Sequence, residues 1–399
     1  MVEPKPDPVN PDKPGTPDET ETVKASYLLL NQSEKSVVDG LTTFSDKLID
    51  MSGEYAGDGE FNVSPLSVSL HLSLLANSCQ GDAHSRILAA LGNSDMEALN
   101  GVCKRLLDYL PSEGTGAKMH LANHIWVAQP YTVPATFKSS IAAVFGDVVE
   151  NVDFTLPTTV PAINKWVYDN TNGLIPRMFD GDWKDYVSTQ IAHANTVYFM
   201  GKWLQEFDPS KTTKQVFHAA QGDTQVDMMH SIALLSYAKN DVAEKVVLDF
   251  TGKVNSLEIY LPVSNTPAKD IPALINSAVR NKMYGATSEV TLSLPKFSLA
   301  SNFGLNPVLA ALGITLDDVD FSPVGINGLL PVEVNHKTVM KVDEKGAELA
   351  ALTSSWATAP DVEPVIKQVT MTVDRPFMYI VRNNETRAIL MAGVVANPK

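Results

Sequence analysis

The hydrophobic positions in the first third of the chain follow a helical period. A spacing of three or four residues predicts an amphipathic helix that buries Val37, Val38, Leu41, Phe44, Leu48 and Ile49. Residues 66–75 are apolar on nearly all sides, which is typical of a helix in the core. Ser64-Pro65 is a strong start for that helix, because a hydroxyl can cap it and proline fits its first turn. Shorter helices are predicted over residues 82–91 and 163–170.

Beyond residue 190 the pattern changes to that of β-strands. Short segments rich in β-branched, aromatic and leucine side chains occupy residues 196–199, 257–261, 290–294 and 377–381. Helices come first and strands later, without the strand–helix–strand alternation of a parallel sheet. The predicted fold class is therefore α+β.

Composition narrows the range of functions. Of 399 residues, 44% are hydrophobic and 19% are charged, which supports a globular core. The formal net charge of −15 argues against nucleic-acid binding, because a nucleic-acid partner requires a basic face. The chain has no apolar run long enough to predict a membrane-spanning helix. Its eight histidines lack the paired helical spacing of metal ligands, so neither a metal nor a cofactor is predicted.

The two cysteines, Cys79 and Cys103, are too few for a disulfide framework. Cys79 follows one apolar helical segment and Cys103 lies in another, so we expect two buried free thiols. A disulfide between them is the alternative.

Residues 1–24 are rich in proline and acidic residues and contain no apolar cluster. Such a segment cannot bury enough surface to offset its ordering entropy, so we predict a disordered tether before a single domain over residues 25–399. The tether suits the mature part of an exported bacterial protein that is extracellular, periplasmic or at the cell surface. A lipid anchor on a removed N-terminal cysteine would fit this interpretation, and a native cytosolic start is the alternative.

A series of short motifs follows one order along the chain. The motifs occupy residues 62–67, 122–126, 152–154, 163–166, 171–176, 294–297, 334–337, 374–377 and 393–398. The most specific one is Ala194-Asn195-Thr196-Val197-Tyr198-Phe199-Met200-Gly201-Lys202-Trp203. In this order and spacing the motifs resemble the serpin family of serine protease inhibitors, and the resemblance runs from about residue 35 to the end.

The resemblance implies a serpin fold of three β-sheets and eight or nine helices, in which the largest sheet can accept one more strand. It also implies a control point beneath that sheet, the shutter, formed by Ser64, Ser67, Asn195 and His336. Short polar side chains can exchange hydrogen bonds at small net cost when two strands part. Trp203 would mark the breach, where the new strand enters at the top of the sheet. A surface position for His336 and plain core packing for Trp203 are the alternatives.

The resemblance also places a reactive-centre loop at about residues 344–372. The loop begins with a hinge that comprises Glu344, Lys345, Gly346, Ala347, Glu348, Leu349, Ala350 and Ala351. A segment that enters a sheet needs small or β-tolerant side chains, no proline and no inward charge. Because side chains alternate along a strand, Ala347, Leu349 and Ala351 should face the core, and Glu348 should face outward. Leu349 and Leu352 stand where inhibitors of the family mostly carry alanine. Leu349 would have to be buried on insertion, which would slow it.

A member of this family is implied to act without catalytic residues of its own. A target protease attacks a loop bond and forms an acyl-enzyme, after which the loop inserts into the sheet and the protease is trapped. Insertion of about 12 residues would add roughly a dozen ladder hydrogen bonds at about 1 kcal/mol each. This gain is comparable with the stability of a whole domain. A strand of that length spans about 40 Å.

Two ways of counting locate the scissile bond differently. Counting from the hinge reaches Ala359, where a neighbouring proline makes a poor cleavage site. Counting back from Pro376 reaches Val365, with Ile366 and Lys367 beside it, and we favour this window. The loop is therefore longer than is usual for the family. Lys367 would suit a trypsin-like serine protease, and the two aliphatic residues would suit an elastase-like one. Papain-like cysteine proteases are a further class of target.

Two functions from other classes compete with inhibition. A serpin-fold carrier or binding protein would be favoured by a proline-rich hinge, and residues 347–355 contain no proline. A hydrolase with a serine, histidine and aspartate triad would be expected to show an ordered signature such as Gly-x-Ser-x-Gly, which the chain lacks. We therefore predict a monomeric protease inhibitor that is not an enzyme.

Overall fold

The computed structural model describes residues 30–93, 95–110, 117–219, 221–346 and 366–398. The predicted tether and residues 347–365 of the predicted loop lie outside this range. The helices within it are α1 (Gln32–Tyr55), α2 (Pro65–Ser78), α3 (Gly81–Ala90), α4 (Met96–Tyr109), α5 (Ala135–Phe145), α6 (Thr159–Asn170), α7 (Ile271–Leu274), α8 (Ser277–Arg280) and α9 (Asn306–Ala311). In the described part of the chain no helix has the length and apolarity to cross a membrane.

The strands lie mostly in the second half of the chain, as the pattern predicts. They are β1 (Phe61–Val63), β2 (Ala117–Ala128), β3 (Val149–Val152), β4 (Ile191–Gly201), β5 (Thr213–Ala219), β6 (Gly222–Lys239), β7 (Ala243–Asp249), β8 (Asn255–Pro262), β9 (Ala286–Pro295), β10 (Phe297–Gly304), β11 (Val319–Asp320), β12 (Leu329–Leu330), β13 (Asn335–Val342), β14 (Lys367–Thr372), β15 (Phe377–Asn383) and β16 (Ile389–Val395). The α+β class is confirmed.

The two main N-terminal helices begin at polar caps. The side chain of Asn31 accepts a hydrogen bond from the backbone nitrogen of Glu34, whose carboxylate accepts one from the backbone nitrogen of Asn31. This reciprocal pair satisfies two backbone donors that a helix terminus leaves free. Ser64 caps α2, and its Oγ lies 3.2 Å from the backbone nitrogen of Ser67. The apolar faces of both helices are buried in the main core, as their hydrophobic patterns predict.

One continuous sheet, which we call the closed sheet, forms the centre of the molecule. Its strand order is β1-β16-β15-β8-β7-β6-β9-β14, and β5 pairs with β6. Every residue of β8, β15 and β16 is buried. Such strands are covered on both faces, which explains their near-continuous hydrophobic sequences.

A second set of strands, which we call the divided sheet, is interrupted. On one side β2 pairs with β3 and β4, and on the other side β10 pairs with β13. The resemblance implies a single large sheet, whereas the described strands form these two separately hydrogen-bonded parts. The candidate site lies at this interruption.

Both cysteines are buried free thiols, which excludes the alternative of a disulfide between them. Burial raises the pKa of Cys79 to about 12 and that of Cys103 to about 11. Neither thiol therefore has the ionised character of a reactive cysteine at neutral pH.

Candidate functional site

β4 and β13 lie on either side of a gap, which we call the seam. β4 pairs with β2 along one edge, and β13 pairs with β10 along one edge. In the described part of the chain, the other edges of β4 and β13 are not paired with each other, and an isolated bridge joins Lys202 to Gly346 at one end, the top. Below the top, residues of both strands line a cavity of about 550 Å³. The seam therefore presents unpaired backbone groups that another strand could satisfy.

Trp203 lies at the top of the seam, where the resemblance places the breach. Its ring is buried and stacks on Phe250, with centroids 4.8 Å apart and 7° between the planes. Its Nε1 donates a hydrogen bond of 2.9 Å to the carbonyl oxygen of Asp343. Trp203 thus connects the chain that leaves β4 with the chain that leaves β13, in addition to packing in the core.

Glu344, the first hinge residue, is held by side-chain and backbone contacts. Its carboxylate lies 2.9 Å from Nζ of Lys296 and accepts a 2.9 Å hydrogen bond from Oγ1 of Thr212. Its carbonyl oxygen accepts a hydrogen bond of 2.9 Å from the backbone nitrogen of Phe207. Burial disfavours the charge, but the contacts with Lys296 and Thr212 outweigh it and hold the pKa of Glu344 below its ordinary value. The hinge therefore starts from a fixed, ionised anchor.

Gly346 occupies a position that only glycine fits without strain. Its φ is +91°, in the left-handed region. A Cβ atom there would lie 2.6 Å from the carbonyl oxygen of Gly201 and 2.6 Å from the backbone nitrogen of Trp203. The hinge and the end of β4 can approach this closely because the side chain is absent.

The four predicted shutter residues form two hydrogen-bonded pairs, one on each side of the seam. Ser67 donates from Oγ to Oδ1 of Asn195 on β4. The backbone nitrogen of Ser64 donates to Nε2 of His336 on β13 at 2.9 Å. Asn195 in turn donates to Oδ1 of Asn123 on β2 at 2.7 Å. The first turn of α2 therefore links both halves of the divided sheet through side chains.

His336 is buried, which excludes a surface position for it. Burial lowers the pKa of His336 to about 3, and the neighbouring His71 acts in the same direction. The ring is therefore neutral at pH 7. Because Nε2 accepts a hydrogen bond from a backbone N–H, the ring proton resides on Nδ1.

The structure describes the two ends of the predicted reactive-centre loop. Before the loop, the chain is described as far as Gly346. After it, the side chain of Ile366 is 42% exposed, and Lys367 begins β14, where it pairs in parallel with Ser288. The remaining predicted hinge and scissile residues lie outside the described residues: Ala347, Glu348, Leu349, Ala350, Ala351, Ala359 and Val365.

Comparison with known proteins identifies the family. A family model described as serpin (serine protease inhibitor) matches residues 39–398. This chain belongs to the serpin family. A serpin-like protein of Thermococcus kodakarensis is 30% identical over 392 residues, which cover 93% of this chain and 88% of the relative. Iripin-8 of Ixodes ricinus is 28% identical over 361 residues, which cover 84% of this chain and 87% of the relative.

Solved serpin structures share the fold, which confirms the predicted serpin architecture. Serpin48 of Tenebrio molitor matches with a TM-score of 0.78 and 26% identity, over 93% of this serpin and 100% of that chain. Tengpin, a thermophilic serpin in its native state, matches with a TM-score of 0.77 and 26% identity, over 90% and 94%. Thyroxine-binding globulin complexed with thyroxine matches with a TM-score of 0.76 at 23% identity, over 90% and 100%. The family thus consists typically of protease inhibitors rather than enzymes, and its fold is shared by a protein described as a thyroxine-binding globulin.

Sequence reasoning missed several residues that contact the predicted site. Lys296 belongs to a recognised motif, but no local pattern indicates that it reaches Glu344, which lies 48 residues further along the chain. His71 and His193 line the cavity under the seam and were not singled out. The signal available for His71 was its position as an imidazole between two leucines in the mostly buried α2.

Proposed function

We propose that this serpin inhibits serine proteases irreversibly by acting as a suicide substrate. A target protease would cleave the reactive-centre loop, and the severed loop would enter the seam as an additional strand. The observation that carries this proposal is the seam. At its top the strands are bridged to the hinge, and below the top each strand is linked to α2 by a single hydrogen bond. An extended segment that enters the seam could bond with both unpaired edges at once.

The hinge stands at the entrance to the seam. Gly346 already bridges to Lys202, and the backbone nitrogen of Trp203 donates to the carbonyl oxygen of Lys345 at 3.3 Å. The residues that follow Gly346 could therefore continue downward between β4 and β13 without a new anchoring step. Entry would require the first turn of α2 to exchange its hydrogen bonds with Asn195 and His336, at small net cost.

The covalent step belongs to the protease. Its serine oxygen adds to the carbonyl carbon of the scissile residue, the peptide C–N bond breaks, and the leaving nitrogen takes the proton from the serine hydroxyl. An ester then joins the two proteins. Water would normally hydrolyse that ester, but insertion would first carry the protease about 40 Å, the length of a strand of about 12 residues. Displacement of the catalytic groups would leave the ester intact.

We place the scissile bond between Val365 and Lys367. Lys367 is already paired within β14, so cleavage after it would require the start of that strand to detach from Ser288. Ile366 precedes the strand and is 42% exposed. This arrangement favours a protease that cuts after an aliphatic residue, such as an elastase-like enzyme, over a trypsin-like one. Papain-like cysteine proteases are a further candidate class.

We propose that the monomeric inhibitor meets its targets outside a bacterial cell or at its surface. The proline- and acid-rich composition of residues 1–24 supports this setting. Fractionation of the native host would test it, and recovery of the intact protein from the cytosol would contradict it.

The direct experiment is incubation of the full chain with pancreatic elastase and with trypsin. We expect an SDS-resistant complex with at least one of them, and a C-terminal peptide, separated under denaturing conditions, whose mass identifies the cut bond. A protein clipped in the loop by a non-target protease should melt at a much higher temperature than the intact protein. Absence of a complex together with an unchanged melting temperature would exclude the mechanism and favour a carrier or binding protein, since the fold neighbour thyroxine-binding globulin binds a small molecule.

A matched pair of variants tests insertion itself. Alternation predicts that Ala351 faces the core after insertion and Ala350 faces outward. Ala351→Arg should therefore convert the inhibitor into a substrate that is cleaved without forming a complex, because a buried guanidinium blocks the strand. Ala350→Arg should still form the complex. Equal behaviour of the two variants would contradict insertion in this register.

A further inference from the structure

Two histidines that the proposed inhibitory mechanism does not use meet beneath the seam. His71 projects from α2, and His193 lies on β4. Their ring centroids are 5.9 Å apart, with 70° between the planes. On its other side, the ring of His193 makes an edge contact with Phe321, with centroids 6.0 Å apart. The pair therefore forms part of the packing between α2 and the divided sheet.

The position of the pair extends the shutter contact. His71 follows Ser67 by four residues, one helical turn, and His193 precedes Asn195 by two residues, on the same face of the strand. Helix α2 therefore touches β4 at two successive levels, first through the Ser67–Asn195 hydrogen bond and then through the two rings. A change in the packing of the two histidine rings would therefore act directly on the Ser67–Asn195 hydrogen bond.

Both side chains retain partial exposure, but they are mostly removed from water, and this keeps the rings neutral at pH 7. Burial lowers the pKa of His71 to about 4. Burial and the neighbouring His71 lower the pKa of His193 to about 3. Both ring nitrogens of His193 are buried and have no hydrogen-bond partner among the described residues. A proton added to His193 would therefore create a charge without an acceptor, next to a second imidazole.

The charged groups around the pair do not offset the unfavourable free energy of protonating His193. The other titratable groups that line the cavity are His336, Lys337, Glu333, Asp180 and Tyr186. Lys337 and Asp180 form an ion pair with each other, with Nζ and Oδ2 2.6 Å apart. Among the described residues, no carboxylate lies close enough to His193 to raise its pKa, and His336 is itself held neutral by burial.

We propose that His71 and His193 form an acid-sensitive lock, in which protonation of the pair separates α2 from β4 and opens the seam. The direction follows from linkage. Each native pKa lies below the ordinary value of 6.5, so the stabilising contribution is complete above pH 6.5 and is lost as the pH falls toward about 4. At pH 5.0 the open state should gain about 30-fold per histidine, and up to about 1,000-fold for the pair. The lock does not depend on protease inhibition.

Hydrogen–deuterium exchange of the intact full chain at pH 8.0 and pH 5.0 tests the lock. After correction for intrinsic exchange rates, β4 and the first turn of α2 should lose at least about 30-fold in protection at pH 5.0. Peptides covering β15 serve as an internal control and should keep their protection. The double variant His71→Leu, His193→Leu should abolish most of the loss at β4. The variant His218→Gln, which changes an exposed histidine with a raised pKa, should behave like the parent.

The proposal is overturned if the double variant loses as much protection at pH 5.0 as the parent, because His336 or another group would then carry the effect. Should the double variant fail to fold, NMR titration of the histidine ring carbons in the parent gives a second test. The rings of His71 and His193, like that of His336, should stay neutral down to about pH 5 while the native fold persists. Titration of either ring near 6.5 in the native state would refute the lock. Failure to inhibit any protease would leave both results unaffected, so the two proposals are separable.

Discussion

The closed and divided sheets of this serpin are built from similar residues but joined in different ways. In the closed sheet, β15 pairs with β8 on one side and with β16 on the other, and all of its residues are buried. In the divided sheet, β4 and β13 each pair on one side, and each is joined to the start of α2 by a hydrogen bond on its own side of the seam. Both regions contain buried apolar side chains, but at the seam of the divided sheet exchangeable hydrogen bonds from α2 stand where strand pairing is missing. We therefore expect the closed sheet to keep its structure and the divided sheet to rearrange at the seam.

The largest effect is expected from a cavity in the closed sheet. Phe377 is fully buried and contacts Phe297, with ring centroids 5.7 Å apart. Phe377→Ala should lower the free energy of unfolding by about 3–5 kcal/mol, measured by urea denaturation. Ile232→Ala, at a position 64% exposed on the same sheet, is the control and should change it by less than about 0.5 kcal/mol. Similar losses of unfolding free energy for the two variants would contradict the conclusion that burial in the closed sheet stabilises the fold.

A buried charge cluster in the closed sheet should give the next largest effect. The carboxylate of Glu258 lies 3.3 Å from Nε of Arg382 and 3.2 Å from Nζ of Lys245. Glu258→Gln should cost about 3 kcal/mol, because two cations lose their buried counter-ion. Burial alone would raise the pKa of Glu258, but Arg382 and Lys245 outweigh it and lower the pKa to about 2. The difference between parent and variant should therefore be constant above about pH 4.5 and shrink as the pH falls toward 2. A difference that grows on acidification would contradict this assignment.

A hydrogen bond that joins α2 to one side of the seam should matter less for stability. Ser67→Ala removes the donor to Asn195 and should cost about 1 kcal/mol, which corresponds to an open seam about five times more populated. Ser69→Ala on the same helix is a matched control, because its buried Oγ has no partner among the described residues. This control should be neutral or slightly stabilising. Equal losses for both serines, in urea denaturation and in exchange at β4, would argue against a special role for Ser67.

The smallest effect concerns the hinge anchor. Lys296 pairs with Glu344, but its side chain is 36% exposed, so Lys296→Met should cost less than about 1 kcal/mol. The difference in melting temperature from the parent should disappear in 1 M salt, where screening acts over about 3 Å. Lys341→Met removes a more exposed contact with Asp343 and should show no difference at any salt concentration. A difference for Lys296→Met that survives high salt would indicate packing rather than charge.

The sequence allowed three strand segments of the closed sheet, part of β4 and the N-terminal helices to be predicted, because their signals are local. The period of Val37, Leu41, Phe44 and Leu48 identified α1, and Ser64-Pro65 located the start of α2. The shutter residues came from the family resemblance, and the structure brings them into contact as two pairs. Their roles in inhibition stay predictions.

The division of the second sheet could not be predicted from local patterns. Whether β4 pairs with β13 depends on residues more than a hundred positions apart, and each strand has the same hydrophobic pattern in either state. The contact between His71 and His193 has the same origin, since it joins a helix and a strand that are distant in sequence. Local periodicity specifies which face of a strand or helix is buried, but it does not specify which other strand or helix that element contacts.

The placement of β15 and β16 between β1 and β8 in the closed sheet has a consequence for what proteolysis can release. A cut within residues 347–365 would divide the polypeptide, yet the shorter fragment would remain interleaved with β1 and β8 of the longer one. The two fragments should co-elute under native conditions and separate only when the core is denatured. Cleavage of this chain would thus break one peptide bond without releasing a fragment from the native protein.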